Sequence, residues 1–244
     1  MINTLNESQL HKALKTFYAV QFSAQEEVQV ERWICDLACP DGEIVEIQTK
    51  NVGALKEKAG ALLAAKRRVT IVHPIIKEKV IETCAQDGKL VSRRKSPKKE
   101  SLYSELKELT GIAPLLTDKK LSIILPEITV VEKRAKTDSP QQAKNGRRRF
   151  KKDWQKTDKA LLTIGTSWKL NGKKDWLGLL PKELPAPFCA ATVRDAFIAE
   201  QKKEAAPYAN LLLWILRKAG LIERVPHEGR AYFYKIKKSR PSDC

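Results

Sequence analysis

Asp36, Glu46 and Gln48 are the residues of this chain whose types and spacing could do chemistry. They lie between Trp33 and Thr49, where two short apolar runs, Trp33 to Ala38 and Ile44 to Thr49, flank Pro40-Asp41-Gly42. Glycine supplies positive φ in such a turn, so the stretch predicts a β-hairpin. On its second strand Glu46 and Gln48 share a face, roughly 6.6 Å apart at about 3.3 Å per residue. Val45 and Ile47 then face the core. Pairing across the hairpin sets Asp36 beside Glu46, and two carboxylates so close repel unless a cation sits between them. The chemistry on offer is therefore the holding of a divalent ion, Mg2+ or Mn2+. The plainer alternative is a sheet edge whose acids point to water.

The elements around the hairpin decide which other groups can join it. Residues 4 to 19 predict a helix with Leu10, Ala13, Leu14, Phe17 and Tyr18 on one stripe. Glu7 falls on that stripe, and Thr4-Leu5-Asn6-Glu7 also reads as a capping box that would occupy it. Glu26 to Glu31 alternates like a half-exposed strand, and Glu27 is its acid expected nearest the site, as a third metal ligand. A helix over residues 52 to 66 turns Leu55, Ala59, Leu62 and Leu63 to the sheet, with Lys58 beside that stripe and able to reach Glu46. Val69 to Val72 is β-branched and predicts a buried strand. The resulting order is α-β-β-β-α-β.

The 244 residues carry a formal net charge of +17, an excess that serves a polyanion, and nucleic acid is the first candidate partner, DNA ahead of RNA. No apolar run approaches the eighteen or so residues of a membrane span, so a cytoplasmic protein without membrane contact is expected. The cysteines lack the paired spacing of a zinc site, and the histidines assemble no nucleophilic triad. Ser92 to Lys99 reads as a basic loop in which Arg93, Arg94, Lys95, Lys98 and Lys99 grip phosphate. Residues 133 to 152 have almost no apolar content and read as a mobile basic linker, with Arg147, Arg148, Arg149, Lys151 and Lys152 as phosphate contacts. The expected organisation is a first domain at 1–132, the linker at 133–152, and a strand-containing segment leading into a last domain over 153–240.

Three resemblances add to this. Asp36 followed by Glu46-x-Gln48 resembles the PD-(D/E)XK nuclease core, an α/β fold with a mixed sheet flanked by helices, with Gln48 in the place of the usual lysine. The resemblance implies a restriction-endonuclease-like domain that cuts DNA with Mg2+ or Mn2+ on Asp36, Glu46 and Glu27, Gln48 orienting water and Lys58 replacing the missing lysine. It also admits a member that binds without cutting. The rhythm from about Asp175, with helices at 192–199 and 207–219 and a strand pair at 221–225 and 231–236, resembles a winged helix, which implies phosphate contacts at Arg224 and Arg230. Its second helix carries Leu211 and Trp214 opposite the core stripe, an apolar face for another domain, a partner or a second copy. His11 to Lys15, Asp36, Glu46 to Thr49, Lys58, Val72 to Ile75 and Arg93 to Pro97 together resemble a bacterial family with both halves.

Overall fold

The computed structural model describes residues 8–142, 146 and 149–237. Helix α1, Gln9–Phe22, is capped by Ser8, whose hydroxyl accepts the His11 N–H, and it stops where Ser23 turns left-handed. The Thr4 to Glu7 capping box lies outside the described residues. Strands β1 (Gln25–Val30), β2 (Trp33–Ala38) and β3 (Ile44–Ile47) run antiparallel in that order. Helix α2, Lys56–Ala64, carries the chain over the sheet to β4, Val69–Val72, which lies parallel to β3. Strand β5 is Ile75–Cys84, and β7, Leu121–Gln141, runs parallel to β4 and then to β5.

The two faces of this sheet bury different partners. Ile44, Val69, Ile71 and Ile123 pack with Ala59, Leu62 and Leu63 of α2, whereas Val45, Ile47, Val72 and Val130 pack with Leu10, Leu14 and Tyr18 of α1. Helices on both faces explain why β3 and β4 are apolar runs rather than alternating strands. The chain thus has a mixed α/β core. Among the described residues, no helix is long and apolar enough to cross a membrane.

Of the expected linker, residues 133–141 are instead strand, and Lys152 begins another. Strand β8, Lys152–Asn171, pairs antiparallel with β7 along most of its length, Ser122 facing Asn171 at the root and Gln141 facing Lys152 towards the tip. Charge density predicts a self-repelling chain, but an acid of one strand meets a cation of the other, Glu132 of β7 lying 3.7 Å from Lys156 of β8. The root is anchored by Ile128, Val130, Leu161 and Ile164 on the α1 face. Residues 143–145, 147 and 148, which include Arg147 and Arg148, lie outside the described residues. Because β8 belongs to the main sheet, the first unit runs to about Asn171 and not to residue 132.

The basic loop is also partly strand. After the turn at Asp87-Gly88, where Gly88 has φ 84°, β6 runs Leu90–Lys95 against β5, so only Ser96 onward is loop. Strands β6, β5, β7 and β8 extend the sheet beyond the end of β3.

The last unit comprises α4 (Gly172–Leu177), β9 (Phe188–Cys189), α5 (Ala190–Ala199), α6 (Ala209–Lys218), β10 (Ile222–Val225) and β11 (Phe233–Ile236). Its antiparallel sheet has the order β10-β11-β9. Helix α6 packs on a 3-10 helix, Leu106–Leu115, that follows the short helix α3, Leu102–Glu105. Tyr103 strengthens the junction, donating its hydroxyl to Leu179 O at 3.0 Å and meeting Phe197 edge-on at 5.2 Å. Leu211 packs against this shared core, so much of the second apolar face of α6 is covered from within the chain, while Trp214 stays exposed under Lys218.

Candidate functional site: an acid row at the end of β3

Register brings three acids to neighbouring positions on β1, β2 and β3, Glu27 and Asp36 meeting side chains of α1 and Glu46 meeting Lys58 of α2. Leu37 faces Val45, so continuing the ladder sets Asp36 opposite Glu46, and Glu27 falls opposite Asp36 between the pairs Glu26–Leu37 and Val28–Cys35. Each side chain is held differently. Glu27, at φ 54°, meets Lys15 of α1 at 2.9 Å. Asp36 Oδ2 accepts the Ile47 N–H at 2.8 Å and lies 3.5 Å from His11 Nε2. Glu46, only 4% exposed, has Lys58 Nζ 2.5 Å from its Oε1. Lys58 also donates to Ile34 O at 2.7 Å, which fixes its ammonium between β2 and β3.

These surroundings separate the two central carboxyls electrically. Burial alone would raise Asp36, but hydrogen bonds from His11 and from the Ile47 N–H outweigh it and hold the carboxyl below its ordinary range. Burial pushes Glu46 up to about 7, with the Asp36 charge adding to the rise and Lys58 pulling against it. The same burial takes the Cys35 thiol to about 11 and leaves it inert. Asp36 is the permanent anion of the pair, and Glu46 holds its proton into the neutral range.

The segment leaving β3 is braced from behind. Gln48 spends its side-chain amide on Lys50 O at 2.6 Å and Asn51 O at 3.3 Å, while its own carbonyl lies 2.6 Å from His73 Nδ1. His73 is 1% exposed, and its other nitrogen lies 3.3 Å from Glu105 Oε2. Glu108 accepts the Asn51 N–H at 2.8 Å. A Cβ on Gly111 would come within 2.5 Å of Gly53 Cα, so two backbones touch here just before α2 begins. Gly111→Ala is expected to cost about 1–3 kcal/mol, because neither backbone can withdraw without shifting α2. Urea unfolding measures it, and a loss below about 0.5 kcal/mol would show that the contact relaxes freely.

Several of these groups were not read as site residues from sequence. His11 and Lys15 are four apart on α1 beside Leu10 and Leu14, a weak signal of polar groups aimed at the sheet. His73 looked like the end of a strand, and its partner Glu105 is 32 residues away, beyond any local pattern. Glu27 accepts from the Lys15 ammonium at 2.9 Å and so joins α1 to β1.

The expected phosphate contacts are scattered over the molecule. Arg93 pairs with Glu82 at 3.3 Å, Lys95 with Glu78 at 3.5 Å and Lys98 with Glu100 at 3.3 Å. Lys99 lines a shallow cleft with Lys77, Lys79 and Ser96. Arg94, Arg149, Lys151 and Lys152 are exposed, Arg149 lying 5.3 Å from the Phe150 ring. Arg224 stacks on Tyr232 at 3.5 Å, and Arg230 is exposed in the turn beyond.

A metal would have to be held by few side chains. Among the described residues, no group of three or more His, Cys, Asp or Glu converges as a metal site. The acid row nonetheless offers hard oxygen donors: Asp36 Oδ2, the Ile47 carbonyl on the same strand end, and Glu46 Oε1. Glu46 Oε1 is buried without a hydrogen bond, since Lys58 approaches it closely but off the bonding direction. One or two carboxylates with water completing the shell suit Mg2+, so the donors fit in their chemistry, with Lys58 standing 2.5 Å from Glu46 Oε1. His11 Nε2, 2.8 Å from Ile47 O, now fills the gap between that carbonyl and Asp36.

Fold and site together define a mixed α/β protein with a cross-strand acid pair, one member charged and one close to neutral. The chain belongs to the family described as Domain of unknown function (DUF8091), which it matches over residues 8–171, from the cap of α1 to the end of β8. It is 30% identical over 242 residues to a Treponema pallidum (strain Nichols) protein titled "Uncharacterized protein", covering 99% of this chain and 89% of that one. No solved structure matches the chain.

Proposed function

We propose that this protein is a metal-dependent nuclease of the cytoplasm that hydrolyses phosphodiester bonds in DNA, with a PD-(D/E)XK-like core and a winged-helix-like last unit. The observation that carries the reading is Asp36 and Glu46 on neighbouring strands where the β2–β3 ladder ends, Asp36 accepting the Ile47 N–H at 2.8 Å and Glu46 lying 2.5 Å from the Lys58 ammonium. The element order supports it, α1, three antiparallel strands, α2 and then β4 parallel to β3. So does the last unit, whose helices and three-stranded sheet follow the order expected of a winged helix.

Mg2+ or Mn2+, held by Asp36 and Glu46 with the Ile47 carbonyl, would polarise the scissile phosphate and lower the pKa of the attacking water. Lys58 offsets negative charge gathering on the phosphate oxygens. Gln48 is a neutral amide and cannot take a proton, so its part is to orient water through its side-chain oxygen while its nitrogen holds the turn. His11 must leave the gap beside Asp36 for the ion to enter.

One observation favours a second reading, a DNA-binding protein that keeps the fold without cutting: His11 already satisfies Asp36 and Ile47 O, and Glu46 is nearly sealed from solvent. Incubation of the purified chain with supercoiled plasmid and with single-stranded DNA in Mg2+, Mn2+ or EDTA separates the two. Nicking that depends on metal is expected. Binding without cleavage of any substrate in either metal would establish the second reading.

A further inference from the structure

We propose that Lys50, Lys79, Lys156 and Lys159 form a phosphate track on which the backbone of duplex DNA lies as it passes from the acid row onto the β7–β8 ribbon. The inference rests on the nucleic-acid reading above but not on cutting. The track starts from a buried anion. Glu132, 7% exposed on β7, is met by Arg134 at 2.5 Å, Lys79 at 3.5 Å and Lys156 at 3.7 Å. One carboxylate among three cations leaves two positive charges over.

Two further lysines raise that surplus. Lys159 lies opposite Glu132 in the β7–β8 ladder, and Lys50 sits two residues past Gln48 in the turn that leaves β3, its carbonyl accepting from the Gln48 amide at 2.6 Å. Among the described residues, neither ammonium has an acid within ion-pairing distance, although Lys159 is partly buried. Burial lowers the Lys159 ammonium to about 8, and Lys156, Lys50 and Lys79 push the same way against Glu100. Like charges crowded in a half-dry place are costly unless an anion joins them. Phosphate oxygens supply it.

Other basic strands differ. On β6, Arg93 and Lys95 each face an acid of β5 and stand in solvent. The track is also set apart by its position, since Lys50 belongs to the turn held by Gln48 while lying within electrostatic reach of Lys156 and Lys159. Arg134 covers the Trp154 ring at 3.6 Å farther along the ribbon, giving the backbone a flat, positively charged continuation.

The test compares paired substitutions in the full chain, with binding of a duplex DNA oligonucleotide followed by fluorescence anisotropy in EDTA over a range of salt. Lys156→Gln with Lys159→Gln should flatten the slope of log K against log salt by about 1.8, at about 0.9 per phosphate contact. Lys156→Arg with Lys159→Arg should keep the wild-type slope, which guards against a folding defect. Arg93→Gln with Lys95→Gln, removing the same charge from β6, should leave the slope nearly unchanged. An unchanged slope in the first pair, or an equal loss in the β6 pair, overturns the track. A loss seen only with an RNA hairpin overturns the assignment to DNA. A slope loss without any cleavage keeps the track and removes the nuclease reading, whereas cleavage with an unchanged slope does the reverse.

Discussion

Asp36→Asn is expected to stop metal-dependent cleavage of DNA while the protein stays folded and keeps its affinity for DNA in EDTA. Asparagine matches aspartate in size, and its oxygen can still accept the Ile47 N–H that Asp36 now takes at 2.8 Å. What disappears is the member of the Asp36–Glu46 pair whose charge is secured at neutral pH. Changes outside a metal's ligands already cost tenfold to a hundredfold in affinity or activity, so loss of a ligand should cost on the order of a hundredfold or more. Asp36→Ala is the poorer variant. It also leaves the Ile47 N–H unpaired, at about 1–3 kcal/mol, and confuses folding with chemistry. Single-turnover cleavage in Mn2+ alongside thermal unfolding makes the measurement, and cutting at the wild-type rate by Asp36→Asn would place the chemistry elsewhere.

Lys58→Met should destabilise the protein by about 3 kcal/mol at pH 8 and by under about 1 kcal/mol at pH 5, because breaking a buried ion pair strands the remaining charge. Lys58 and Glu46 side chains are 11% and 5% exposed, so solvent does little to shield either. The pH dependence follows from Glu46, whose burial lifts it from an ordinary 4.5 to about 7. Between those values the folded chain binds the proton more tightly than the unfolded one, so stability falls as pH rises through the folded value. At pH 5 the Glu46 carboxyl is already protonated and needs no ammonium. Above 7 it is charged and Lys58 is its counter-ion, so the variant must either hold the proton longer or bear an unpaired anion. Urea unfolding at the two pH values decides. Equal losses would mean that Lys58 contributes packing alone.

The hairpin was legible because Pro40-Asp41-Gly42 fixes its turn and strand alternation then fixes which residues meet. The reach of Lys58 was legible from helical spacing, three residues from Leu55. Glu27 reads from strand alternation as the acid of its segment nearest the hairpin, but its partner is not legible there, since nothing in Gln25–Val30 reveals that Lys15 faces it across the gap between α1 and β1. The ribbon was hidden for a different reason. Segments 133–141 and 152–159 each look too polar to fold, and they are ordered by pairing with one another, a property of two segments that neither displays alone. His11, His73 and Glu105 were unreadable as a bracing set because their contacts join places 25 to 36 residues apart.

The continuity of β7 sets a distance. From Glu132, its last buried residue, to its end at Gln141 the strand makes nine steps, at most about 30 Å at about 3.3 Å per residue, with the ladder shifting between Lys136 and Gln141. One turn of duplex DNA is about 34 Å. The root of that strand is hydrogen-bonded to β4, which lies directly beside β3 and its acids, so the tip is spaced from the acid row by a ladder and not by a tether. On the proposed reading the ribbon is a ruler, and a duplex lying along it would be protected over most of a helical turn beyond Glu132, on one side of the bond presented to Asp36 and Glu46, giving a footprint that is asymmetric about the cut.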